Sequence, residues 1–121
     1  MRALLILAVI LLAACAMQVP REPTTFSAAN APGKILTIRE PINLSAGTGY
    51  TSTMPASSRW VQTGTIPQGD VYMIENSVFT VTGMHIHEAR VVVRDRMIVG
   101  FYLPVEHAFS PVSEKVLLPL Q

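Results

Sequence analysis

The chain has 121 residues, half of them hydrophobic, with a net charge of +1. That length admits one small domain with a modest core. With no basic run and no aromatic-basic stripe, the sequence excludes nucleic acid as a partner and gives no electrostatic steering. Met1-Arg2 and the apolar run Ala3–Leu12 have the charge and hydropathy pattern of a secretory signal peptide. The run is too short for a spanning helix, which needs about 20 apolar residues.

Leu12-Ala13-Ala14-Cys15 ends that run, and Cys15 is the only cysteine. These residues resemble the lipobox of bacterial lipoproteins, and the resemblance is confined to residues 1–15. It implies cleavage before Cys15, a diacylglyceryl thioether on its sulfur and a palmitate-type acyl chain on its new amino group. Each buried methylene contributes about 0.8 kcal/mol, and stable anchoring takes two chains. Three chains therefore imply very slow release from the lipid bilayer. Ala16 rather than Asp follows the cysteine. In that family this favours the outer membrane, with the domain facing the periplasm. A lipidated Cys15 leaves no thiol for a disulfide or a Cys-type zinc site. The expected mature part carries Lys34, Lys115 and six arginines against eight acids, a formal charge of zero.

Residues 15–33 read as the lipidated cysteine followed by a flexible tether, with Pro20, Pro23 and Pro32 among small polar residues. The single folded domain is expected over residues 34–121. Strand signals follow at Lys34–Arg39, Tyr50–Met54 and Arg59–Thr63. Pro67-Gln68-Gly69-Asp70 is a turn signal. Val71–Ile74 and Val78–Thr82 are short β-branched runs, and Met84–Val93 is the longest strand candidate. Arg94-Asp95-Arg96 reads as a hairpin tip, and Met97–Leu103 as the return strand. A two-residue turn there pairs Val93 with Ile98, Val92 with Val99 and Val91 with Gly100. Aliphatic residues on both faces place this hairpin centrally. Val105–Phe109 is the one short helix candidate, and Val116–Leu120 is a last edge strand. Many short strands between Gly and Pro turns specify an all-β fold, a small antiparallel β-sandwich or partly open barrel.

His85-Ile86-His87 is the sharpest chemical hint. Residues two apart on a strand project from one face, a spacing that suits a zinc or copper ion. His107 is the third histidine, and Glu75, Glu88 and Glu106 are candidate oxygen ligands. The pair resembles the His-x-His of cupins and zinc hydratases in those two residues only. Histidines held by hydrogen bonds beside the core are the favoured reading. Glu88 and Arg90 are expected to form a salt-linked or exposed patch.

No Gly-x-Ser-x-Gly elbow, His-Glu-x-x-His helix or phosphate loop is present. A Ser110, His107 and Asp95 or Asp70 set is an accident of composition. Ser45–Thr53 reads as a solvated loop with a polar edge strand. Trp60, Phe101, Tyr102 and Phe109 are either core residues or interface anchors. The sequence thus points to a non-catalytic, membrane-anchored envelope lipoprotein without a cofactor, which binds or assembles another envelope component, a protein in kind. The alternative is a periplasmic zinc or copper binder using His85, His87 and His107.

Overall fold

The structure, a computed structural model, describes residues 21–31, 33–47 and 50–120. The lipobox, the cleavage point and Cys15 lie outside the described residues. Two antiparallel sheets account for the described fold. The large one uses β1 (Glu22–Pro23), β2 (Ser27–Ala28), β3 (Ile35–Thr37), β6 (Arg59–Ile66), β7 (Gly69–Ile74), β10 (Arg90–Arg94), β11 (Met97–Leu103) and β12 (Ala108–Leu117). Its order is β1-β12-β11-β10-β7-β6-β2, with β3 also on β6. The small sheet runs β4 (Ile42–Ala46), β5 (Tyr50–Met54), β8 (Thr80–Thr82) and β9 (Ile86–Glu88).

The large sheet curls but stays open, and an isolated bridge links the ends of two of its strands. Ile38 bridges Leu120, and the Arg39 amide donates to the Pro119 carbonyl at 2.8 Å. Pro119 lacks an amide donor, and its carbonyl makes this contact. Elsewhere β1 lies on β12 while β2 lies on β6. Residues 22–28 therefore strap one edge of the curled sheet to the other. The outcome is the expected all-β fold, an open curled sheet with a second small sheet.

Two cores follow from this arrangement. Ile42, Leu44 and Ala46 alternate with exposed polar residues along β4. They join Tyr50, Trp60, Val91, Val93 and Phe101 in the main core. The opposite face of the large sheet carries a smaller cluster of Ile66, Val71, Val92, Tyr102 and Phe109, with Phe26 packed against it. This is why three consecutive valines in β10 are all buried: both faces are covered. Glycines make room for the rings. A Cβ on Gly64 would lie 2.5 Å from the Phe26 ring, and one on Gly100 would lie 2.6 Å from the Phe109 ring.

Several expectations shift in detail. The hairpin turns at Asp95 and Arg96, both at positive φ, and Val93 pairs with Ile98. Beyond that pair Val99 bulges, so Val92 meets Gly100 and Val91 meets Phe101. Met84–Val93 is not one strand. The chain leaves the small sheet at Glu88 and joins the large one at Arg90, with the intervening Ala89 amide bonded to the Phe79 carbonyl. The helix expected over Val105–Phe109 is absent. His107 adopts φ of 53° and closes a turn, and Ala108 and Phe109 then pair with Leu103 and Tyr102. Ser45–Thr53, read as a solvated loop with a polar edge strand, contains the end of β4 and most of β5, and β5 lies between β4 and β8 rather than at an edge. Of the segment read as tether, residues 22–28 carry the strap.

Candidate functional site

The three histidines occupy different settings. His85 lies in an exposed bend before β9, where its carbonyl accepts from the Gly83 amide at 3.1 Å. It therefore does not share a strand face with His87. His87 sits on β9 opposite Val81, with its side chain mostly buried. Its Nδ1 hydrogen-bonds Glu106 Oε2. His107 is exposed in the turn after β11. Among the described residues no group of three His, Cys, Asp or Glu side chains is placed to hold a metal ion. The structure thus pairs His87 with Glu106 and does not assemble His85, His87 and His107 into one ligand set.

The His87–Glu106 pair instead ties the small sheet to the β11–β12 turn. Arg21 adds a cation, with Nη1 3.7 Å from Glu106 Oε2. Nearby, Thr24 donates to Gln68 Oε1 at 3.0 Å, and Gln68 donates to Glu22 at 3.1 Å. The Thr24 amide donates to the His107 carbonyl at 3.0 Å. These bonds fix the place where the N-terminal segment meets the domain. A carboxylate on Nδ1 also fixes the imidazole's orientation. The other acidic candidates stand apart from this pair: Glu75 pairs with Arg59 at 3.2 Å, and Glu88 is exposed. Glu88 and Arg90 form no ion pair among the described residues, because the step between sheets at Ala89 separates them.

The aromatic interface candidates are core residues. Trp60 is 1 % exposed, Phe101 0 %, Tyr102 3 % and Phe109 6 %. Trp60 meets the Phe79 ring edge-on at 4.9 Å, and Tyr102 stacks under Phe26 at 5.2 Å. Ser110 is buried within β12, His107 is in the exposed turn and Asp95 is at the hairpin tip, so the nominal hydrolase set has no geometry. A cavity of about 410 Å³ beside that tip includes Tyr72, Asp70 and Lys34. Burial, and then the Asp70 charge, raise the Tyr72 pKa. A raised phenol stays neutral at physiological pH and supplies no base.

The surface is more informative. Ile35 pairs with Val61, and Val61 pairs with Met73. Paired residues lie on one face of a sheet, so these three side chains form a row across β3, β6 and β7. Ile35 is 50 % exposed and Met73 39 %. Sequence reasoning had the strands but not their register, and without register the row is invisible. On the small sheet, the solvent face carries Asn43, Ser45, Thr51, Thr53, Thr80 and Thr82. There β5 and β8 share the single register pair Thr51–Thr82, and a cavity of about 290 Å³ opens between them.

Comparison with known proteins adds no assignment: no family model, no curated protein and no solved structure matches the chain.

Proposed function

We propose that this chain is a membrane-anchored envelope lipoprotein that performs no catalysis and binds or helps assemble another envelope component, a protein in kind. The outer membrane, with the domain facing the periplasm, is the proposed location. The observation that carries the binding half is the in-register row Ile35–Val61–Met73. Single exposed apolar residues are ordinary on any surface. Exposed Ile35 and Met73, with half-buried Val61 on the strand between them, each about 4.8 Å from the next, form one continuous strip. Burying such side chains contributes roughly 1.5–3 kcal/mol each when exposure is complete. This strip starts partly covered and would bind a free partner weakly. Confinement to a membrane raises the effective concentration of partners held there, so a weak contact becomes sufficient. The anchor implied by Leu12-Ala13-Ala14-Cys15 and the modest strip therefore support one another.

The test is photo-cross-linking in intact cells with benzoylphenylalanine in place of Met73. The proposal expects one discrete protein adduct, lost in a Val61→Glu background and in a Cys15→Ala background. Leu117, also exposed but at the far end of β12, should give no such adduct. Equal adducts from both positions, or none from Met73, would remove the assignment of this face.

A further inference from the structure

The place where the chain joins the domain carries a second set of exposed apolar side chains. Val105 is 74 % exposed, Ile86 70 % and Met84 62 %. Val105 adjoins Glu106, and Ile86 adjoins His87, the two residues joined by the hydrogen bond between β9 and the β11–β12 turn. Met84 sits in the bend immediately before β9. Arg21 bonds to the same Glu106. All three residues thus lie close along the chain to the His87–Glu106 pair, beside the point where the N-terminal segment reaches the fold, with Ile86 projecting from the solvent face of β9, opposite to His87.

Chain length determines what this surface faces. Residues 16–20 separate Cys15 from Arg21. Even fully extended, that stretch holds the two Cα atoms within about 20 Å of each other. An acylated Cys15 lies at the bilayer surface, so the Arg21 end of the domain is confined beside it. We infer that Val105, Ile86 and Met84 rest in the headgroup layer of the phospholipid bilayer that holds the Cys15 acyl chains, and so fix the orientation of the domain. This rests on the lipoprotein reading above. The apolar row on β3, β6 and β7 is a different set of residues, on the large sheet. Arg21, partly exposed, supplies a cation at the phosphate level while Glu106 keeps His87 as its partner through Oε2.

The experiment uses the full-length protein extracted from membranes. Single cysteines replace Val105, Ile86 or, as a control of like exposure, Leu117 at the other end of β12. An acylated Cys15 offers no competing thiol. Each protein is labelled with an environment-sensitive fluorophore and reconstituted into phosphatidylethanolamine–phosphatidylglycerol vesicles with and without spin-labelled lipid. Intact mass is measured on the same samples. The inference expects quenching at Val105→Cys and Ile86→Cys at least threefold greater than at Leu117→Cys. Equal quenching at all three positions in protein that carries the acyl mass overturns the bilayer contact and leaves the lipoprotein reading standing. Absence of the acyl mass overturns both.

Discussion

Phe26→Ala tests whether the strap joins the edges of the curled sheet by packing or merely lies along it. The Phe26 ring is half-buried, stacked on Tyr102 with centroids 5.2 Å apart and planes inclined by 15°, and Gly64 lies beneath it. Truncating a fully buried Phe to Ala costs about 3–5 kcal/mol. Half of that is about 2 kcal/mol, and the stacked geometry adds about 1 kcal/mol. A loss of about 3 kcal/mol is roughly a hundredfold in an opening equilibrium. The reporters are amides that bind only when the strap is docked. Thr24 donates to the His107 carbonyl at 3.0 Å, and Ala29 donates to the Thr63 carbonyl at 2.9 Å. Native-state hydrogen exchange should show both amides losing about two orders of magnitude of protection in the variant. Central amides of β10 and β11 should change far less, since the strap opens as a local unit. Unprotected Thr24 and Ala29 in the wild type, or a change below threefold in the variant, would refute the packing argument. The outcome bears on function, because release of the strap lengthens the connection between the domain and Cys15.

Gly100→Ala should lower stability by about 2 kcal/mol by overpacking, since the new Cβ would meet the Ser110 carbonyl oxygen at 2.5 Å, an atom no rotamer can move. Thermal unfolding should register this as a fall of about 10 °C. Ser110→Ala should instead raise stability by about 1 kcal/mol in denaturant titration, because the buried hydroxyl finds no partner among the described residues and costs desolvation without return. Tyr72 sets an alkaline limit. Its folded pKa lies above the ordinary 10.0, so the neutral phenol's contribution is complete below that value. It is lost as the pH rises towards the folded pKa, because the unfolded chain releases its proton first. Tyr72→Phe should therefore lose less stability than the wild type between pH 9 and pH 11, measured by denaturant titration at each pH.

The large-sheet hairpins were legible because local chemistry determines them. Pro67-Gln68 and Asp95-Arg96 are short turns between strongly β-prone runs, and Met97–Leu103 emerges with the expected bounds, as does Tyr50–Met54 in the small sheet. β4 was obscured because Asn43, Ser45 and the following glycines resemble a loop, although Ile42, Leu44 and Ala46 alternate towards the core. The break at Ala89 was also hidden. Nothing local distinguishes one long strand from two short ones in different sheets, and the step is set by the Ala89–Phe79 bond ten residues apart. That same step separates His85 from His87 in environment. Glu106 as the partner of His87 required knowing that the β11–β12 turn folds over β9, a contact across 19 residues. The strap was read as tether because its prolines and small polar residues carry no period. Its pairing depends on edges supplied by β6 and β12.

The central claim is an acylated N-terminus that holds this β domain at a membrane. Intact mass spectrometry of the full-length protein, recovered from the membrane fraction of cells expressing it, tests that claim most directly. The expected species is a chain beginning at Cys15 and heavier than its amino-acid mass by a diacylglyceryl group and one further acyl chain, with Cys15→Ala lacking the added mass. A protein that retains Met1, or one cleaved elsewhere and free of lipid, would contradict it.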